Sequence, residues 1–409
     1  MIFVALTKIS LTFMNNSVSS RLKELAQVFL KLGIIGFGGP AAHIAMMEDE
    51  VVKRRGWLTR EHFLDLIGAT NLIPGPNSTE MAIHIGYIYA GWLGLIVSGI
   101  CFIFPAVLMT AGLAWFYVNY GSLPQFAPLL YGIKPAVLAI ILNALWRLGK
   151  KAVKSRKLLI IALGVVALLL VAKLDEVFAL LVGGILGMLW LHSEDIPPGN
   201  QANLLFVGLT TSIFSASVAP VTAVNVPLWQ LGWFFLKIGS ILFGGGYVLV
   251  AFLQGGLVDE YGWLTQQQLL DAIAIGQFTP GPVLSTATFI GYIIAGIPGA
   301  IISTIGIFLP SFFFTAALNP LVPRLRASTW TAAFLDAVNV SSVALMLVVI
   351  LQLGAATLIT TKPPYIDFLA LVMALASAIL VIRVQINAAW IVLGAALIGW
   401  SAAFLGLTA

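Results

Sequence analysis

The chain contains its own copy. Residues 28–76 overlay residues 234–282 without a gap, with 20 identities in 49 positions. Phe37-Gly38-Gly39 recurs as Phe243-Gly244-Gly245, Gly56-Trp57-Leu58-Thr59 as Gly262-Trp263-Leu264-Thr265, Asp65 as Asp271, and Pro74-Gly75-Pro76 as Pro280-Gly281-Pro282, each 206 residues on. One deletion later the offset becomes 205, which pairs Gly86-Tyr87 with Gly291-Tyr292, Ala90-Gly91 with Ala295-Gly296 and Pro105 with Pro310. A duplication of this length calls for a fold that is built twice. The polar stretch from Ser193 to Gln201 separates long apolar segments. The expected layout is therefore a first repeat over 1–192, a linker over 193–203 and a second repeat over 204–409.

What each copy can become is limited by its scarcity of charge. Of 409 residues, 60% are hydrophobic and only 37 (21 basic, 16 acidic) are charged, where a soluble domain carries about 25% charge. With a mean hydropathy of +1.02, a water-soluble enzyme, a disordered regulator and a secreted disulfide scaffold are excluded. The expectation is an all-α polytopic membrane protein in a lipid bilayer, each crossing taking about 20 residues. Apolar runs near 92–118, 127–147, 157–173, 176–192, 204–224, 298–318, 330–354, 365–383 and 387–406 read as crossings. The lone Cys101 allows no intrachain disulfide, and His43, His62, His84 and His192 show no metal-ligand spacing, so neither metal nor cofactor is expected. His43 reads as a packed helical residue. The net charge of +5 does not imply nucleic acid, because six basic residues from Arg147 to Lys157 crowd one short loop, a signal of topology.

The loops of the two copies carry opposite charge bias. The first Gly-Trp-Leu loop has Lys53, Arg54, Arg55 and Arg60, whereas its copy over 259–268 has no basic residue. The stretch 119–125 is uncharged, while its copy carries Arg324 and Arg326; the loop from Arg147 to Lys157 answers to a region holding only Lys362. Because basic residues stay cytoplasmic, this reversal predicts two repeats inserted upside down relative to each other, with the first half's basic loops inside.

Within each copy the crossings are interrupted. Pro-Gly-Pro removes two backbone donors and forbids a continuous helix, and the glycine pairs Gly38-Gly39 and Gly244-Gly245-Gly246 permit unusual backbone angles and bare amides. The segments beside them are half-length and hold Glu48, Asp49, Glu50, Asp65 and Glu80, which predicts broken or re-entrant helices packed in protein or lining a wet cavity. A helix start after such a break is an anion site. Candidate substrate-binding residues are therefore Gly38, Gly39, Pro40, Asn71, Pro74, Gly75, Pro76, Asn77 and Ser78 in the first half, with Gly244, Gly245, Gly246, Thr279, Pro280, Gly281, Pro282, Ser285 and Thr286 in the second. The residues Asn77 to Glu80 are good caps for a helix start, and the two Pro-Gly-Pro breaks are expected to face each other.

Ionisable residues inside a membrane are functional candidates by default. Lys31 and its copy Lys237 stand six residues before the paired Phe-Gly-Gly breaks and are candidates for the anion, or else partners of Asp65 and Asp271. Glu80 and His84 lie four apart, on one helix face, and neither recurs in the second half. With Asp65 and Asp271 they are candidates for ion coupling.

Phe37-Gly38-Gly39-Pro40 with His43, Gly56-Trp57-Leu58, Asn71, Pro74 to Glu80 and His84-Ile85-Gly86 together resemble the signature of the chromate ion transporter family in its two-domain, long-chain form. The resemblance implies export of chromate across the bacterial inner membrane, with sulfate as analogue or competitor, and it leaves a homodimer open. Residues alone support an anion site between inverted repeats, and a sulfate transporter or an anion channel fits them as well. The sequence has no phosphate-binding Gly-x-x-x-x-Gly-Lys loop for ATP and no flavin, haem or cysteine-pair motif for an enzyme.

Overall fold

The structure, a computed structural model, describes residues 17–121, 127–192, 226–243, 246–318, 328–359 and 365–405. The linker and the run 204–224 fall outside them. The first half supplies α1 (Val18–Ile35), α2 (Gly39–Glu48) continued by a π turn (Asp49–Arg54), α3 (Arg60–Thr70), α4 (Asn77–Tyr120), α5 (Ala127–Ala152), α6 (Arg156–Leu170) and α7 (Glu176–His192). The second half repeats that order with α8 (Leu228–Ile241), α9 (Leu249–Leu253) and its π turn (Gln254–Glu260), α10 (Gln266–Phe278), α11 (Thr286–Leu318), α12 (Thr329–Leu358), α13 (Phe368–Ile379) and α14 (Ala388–Phe404). The protein is an all-α polytopic membrane protein. Among the described residues four helices, over 77–120, 128–152, 283–317 and 329–358, are long and apolar enough to cross a bilayer. The other runs read as crossings form α6, α7, α13 and α14, of 15, 17, 12 and 17 residues, short of the roughly 20 that a full span takes.

The longest helices are each two limbs. In α4 the helix breaks at Ala90 and Gly91 (φ 63°, ψ −149°), and in α11 at Ala295 and Gly296 (φ 61°, ψ −149°). That backbone region is open essentially to glycine alone. The chain folds back there so tightly that a side chain on Gly86 would strike the Gly94 carbonyl and Ser98 Oγ, and one on Gly291 would strike the Gly299 carbonyl and Ser303 Oγ. The short limb after each Pro-Gly-Pro is thus a half-helix that returns into the protein. Together with α3 or α10 before the break it forms a broken helix, as the sequence predicts.

Packing repeats from half to half and then crosses between them. Helix α1 packs on α4 and α8 on α11, each pair brought close by a glycine: Gly33 lies under the Phe102 carbonyl and Gly239 under that of Ile307. At the centre α4 meets α11 and α5 meets α12. The last helices are exchanged, so that α13 and α14 pack on α5 of the first half, while α6 and α7 pack on α12 of the second. Small residues make these seams: Gly132 meets the Ala395 carbonyl and Gly399, and Gly187 meets Ala337, the close approach that membrane helices use in place of hydrophobic burial. Two polar ties fix the register. Lys154 Nζ, just past the end of α5, lies 2.7 Å from Asp336 Oδ1 in the second turn of α12. The Tyr131 hydroxyl, near the start of α5, donates to Asp367 at 2.6 Å, beyond the end of α12.

The Gly-Trp-Leu turns anchor the half-helices. Thr59 caps α3 by accepting from the His62 amide, and Thr265 with Gln268 forms a full capping box on α10. Trp57 stacks on Tyr89 at 4.1 Å with the Arg55 guanidinium 5.4 Å from its ring centre; in the copy, Tyr261 replaces the arginine and stacks on Trp263 at 4.6 Å.

Candidate functional site

The backbone breaks of the two halves are bonded to each other, and the bonds are reciprocal. The Gly75 amide of the first Pro-Gly-Pro donates to the Leu242 carbonyl at 2.7 Å, just before Phe243; the Gly281 amide of the second donates to the Gly36 carbonyl at 2.7 Å, just before Phe37. Leu242 is Gly36 plus 206, and Gly281 is Gly75 plus 206. An exchange of equivalent bonds between equivalent residues is what a two-fold relation between halves produces. Each Pro-Gly-Pro is thus bonded to the other half's Phe-Gly-Gly break, a crosswise pairing where the sequence suggests that the two Pro-Gly-Pro breaks face each other. Gly281 (φ 90°) rests 2.9 Å, measured from an added Cβ, from Ala106 Cβ of α4, while Gly75 (φ 140°) rests against Ser311 Oγ of α11 and Glu80 Oε1. Ala106 and Ser311 are themselves twins by the 205 offset.

Helix α4 starts with no side-chain cap: Pro76 holds the N-cap position and the amides of Thr79 and Glu80 both bond the Pro76 carbonyl. Asn77, expected as a cap, instead donates through Nδ2 to Asn71 Oδ1 at 2.7 Å and ties the two sides of the break together. Pro282 begins the second start equally uncapped, with Thr286 bonded to the Val283 carbonyl at 2.8 Å and Thr279 to that of Ile275 at 2.7 Å. These starts therefore keep backbone donors that no side chain of their own claims. Gly38 (φ 108°) and Gly39 (φ 78°) open α2, and two second-half donors stand over them: Asn387 Nδ2 and the Tyr247 hydroxyl, each 3.7 Å from where a Cβ would sit. Arg147 lies near enough to Tyr247 to act on it electrostatically. Gly246 packs on Val283 and Leu284; Gly244 and Gly245 lie outside the described residues.

The candidate charges separate into different roles. Lys31 Nζ sits 2.6 Å from Glu50 Oε1 with its side chain half exposed, and that bond holds the Glu50 carboxyl below the ordinary carboxylate range. In the copy Glu50 is replaced by Gly256, over which Phe234 packs. Lys237 consequently has no ion pair among the described residues. Asp271 is fully buried; it accepts from the Tyr117 hydroxyl of the first half at 2.8 Å, and the lysine acting on it is Lys134 rather than Lys237. Asp65 lies on the exposed side of α3. Lys134 and Tyr117 were legible only as polar residues inside apolar runs, the signal that already singles out Lys237. His43 donates from Nε2 to the Gly36 carbonyl at 2.8 Å, since a carbonyl can only accept, so this carbonyl receives both the ring and the Gly281 amide.

Glu80 and His84 are wholly buried, one turn apart in the short limb of α4, and no hydrogen bond reaches either carboxyl oxygen or either ring nitrogen among the described residues. Ser311 and Thr315 of α11, equally buried, also keep unbonded hydroxyls. Neither serine nor threonine stands out in the sequence, because small hydroxyl residues are common in apolar helices.

A duplicated, apolar helical bundle whose broken helices meet at its centre is an architecture that suits a membrane transport protein. Comparison with known proteins agrees. The chromate transporter family profile matches residues 23–188 and 229–400, one match per half. A chromate transport protein of Cupriavidus metallidurans is 32% identical over 381 residues, 92% of this chain and 92% of its own. A probable chromate transport protein of Synechococcus elongatus is 33% identical (86% and 89%), and a chromate transport protein of Pseudomonas aeruginosa 30% identical (92% and 91%). No solved structure matches the chain. The chain belongs to the chromate transporter family.

Proposed function

We propose that this protein is a secondary transporter that exports chromate across the bacterial inner membrane by alternating access of its two repeats. The reciprocal pair of bonds, Gly75 to Leu242 and Gly281 to Gly36, carries the reading. The Gly75 and Gly281 amides, related by the two-fold, can exchange their carbonyl partners for an anion with little rearrangement, and α4 and α11 bring uncapped helix starts to the same breaks. A tetrahedral dianion entering there takes backbone amides from the residues after each Pro-Gly-Pro and from Gly38-Gly39. Tyr247 and Asn387 add side-chain donors, and Lys237, free of an acidic partner among the described residues, adds charge.

The inverted arrangement is supported by the register of α5 against α12. The end of α5 meets the start of α12 through Lys154 and Asp336, and its start meets the segment after α12 through Tyr131 and Asp367. Twin helices that run antiparallel are what inversion demands. Three of the curated relatives carry chromate in their names; sulfate, of the same charge and shape, is the alternative substrate. The test is uptake and efflux of labelled chromate and sulfate in proteoliposomes holding the full chain. Accumulation of chromate against its gradient supports the transporter, movement that only runs down the gradient makes it a channel, and preference for sulfate reassigns the substrate.

A further inference from the structure

The two halves differ most at one point of their shared geometry. Counting back from the twin glycines Gly86 and Gly291, Glu80 of α4 occupies the place of Ser285. In the second half the site is closed: the Thr110 hydroxyl of α4 donates to Ser285 Oγ at 3.3 Å, across the halves. The twin of Thr110 is Thr315, and on that side the residue in the place of Ser285 is a carboxyl. Thr315 Oγ1, Ser311 Oγ and both Glu80 oxygens are all buried and all without a hydrogen bond among the described residues, although Glu80 Oε1 and Ser311 Oγ both abut Gly75. A hydroxyl has been exchanged for an acid at the break itself.

No charge stands ready to balance that acid. Helix α11, packed against α4, contains no ionisable side chain from Thr286 to Leu318 other than Tyr292. On α1, Arg21 and Glu24 end on Tyr89 and Lys31 on Glu50. On α2, His43 is held by the Gly36 carbonyl; on α3, His62 and Asp65 are exposed; on α10, Asp271 is held by Tyr117. Along α4 itself the nearest titratable group is His84, not bonded to it. An ionised carboxylate with neither counter-charge nor hydrogen bond is costly to bury, so the closed break favours the uncharged acid.

We propose that Glu80 is the group that carries the coupling proton of transport: protonated while Gly75 and Leu242 are bonded, it keeps its proton when the halves part and the anion takes the Gly75 amide, and it gives that proton to water once the anion has left. Ser311, whose hydroxyl abuts the same Gly75, is the residue that positions the acid. An ionised Glu80 repels a dianion at Gly75 and a neutral one does not, which makes anion entry depend on the proton. The assignment rests on the transport reading above and identifies its driving ion.

The test uses the full chain in proteoliposomes, with two readouts: chromate–chromate exchange without a gradient at several pH values, and accumulation under an imposed pH or sodium gradient. The wild type is expected to show pH-dependent exchange and to accumulate under a pH gradient. Glu80→Gln should lose accumulation by at least about tenfold, with its remaining exchange insensitive to pH, and Ser311→Ala, which keeps the acid, should shift the pH midpoint of exchange. If wild-type exchange is indifferent to pH, or sodium drives accumulation in place of protons, the proton assignment is overturned while the transport reading stands. If the wild type exchanges no oxyanion, the transport reading itself fails. Should Glu80→Gln fail to fold, the infrared C=O stretch of a protonated carboxyl decides in the wild type and Glu80→Asp: its absence in the wild type at neutral pH overturns the proposal.

Discussion

At the residue scale, the crossing depends on glycines that nothing else can replace. A Cβ on Gly281 would lie 2.9 Å from Ala106 Cβ, and φ there is 90°. Gly281→Val is expected to abolish chromate transport while the protein still reaches the membrane. Gly281→Ala with Ala106→Gly removes the contact but keeps the left-handed strain of about 1–2 kcal/mol, so partial transport should return; no recovery would mean that strain, not the contact, is limiting. A second expectation concerns Lys31 and Glu50. The lysine lowers the carboxyl's folded-state pKa, so the pair stabilises the protein above the ordinary glutamate value and the contribution fades as pH falls through the lowered one. Thermal midpoints of wild type and Lys31→Met should therefore differ at neutral pH and converge in acid. A gap that persists in acid would assign the effect to packing of the lysine stem.

At the element scale, two glycines in equal space should respond with opposite sign. Neither Gly91 at the bend of α4 nor Gly112 further along it has an atom within 4 Å of an added Cβ. Gly91→Ala should destabilise by about 1–3 kcal/mol, because φ 63° with ψ −149° admits almost only glycine, while Gly112→Ala should gain about 0.5–1 kcal/mol as a helical position. Unfolding titrations in mixed micelles read both, and a neutral Gly91→Ala would mean that the bend relaxes. These elements were legible in the sequence to different depths. Pro-Gly-Pro and Phe-Gly-Gly announce helix breaks because proline and glycine act locally, and Ala90-Gly91 is marked by its exact recurrence at Ala295-Gly296. The capping role expected of Asn77 fails because its side chain finds Asn71 six residues back, a tertiary choice that propensity does not encode. Lys237 reads like Lys31 in sequence, yet among the described residues only Lys31 has an acid, since its partner Glu50 gave way to Gly256 in the copy.

At the scale of the whole molecule, a duplicated chain can pair its halves side by side or interleave them, and the sequence identifies the duplication without choosing. The choice lies in which small residues meet, such as Gly132 with Gly399 and Gly187 with Ala337, contacts between segments far apart in the chain. The resulting exchange of α6 and α7 for α13 and α14 makes each half incomplete alone, so a chain cut within the linker should function only when both pieces are co-expressed. The basic loops add a direction to this geometry. Lys154 and Asp336 share one end of the bundle, the end that the basic loop from Arg147 to Lys157 predicts to be cytoplasmic. The Glu176 carboxyl, at the opposite end of the α6–α7 pair, packs on Gly255, just ahead of the second Gly-Trp-Leu turn, so the inverted arrangement predicts that this turn lies across the membrane from its basic twin. With Cys101 replaced, single cysteines at Ser155 and Gln266 should react with impermeant maleimide from opposite faces, Ser155 from inside and Gln266 from outside. Labelling of both from one face would mean that the halves are parallel copies, and the antiparallel run of α5 and α12 would then need another cause than inversion.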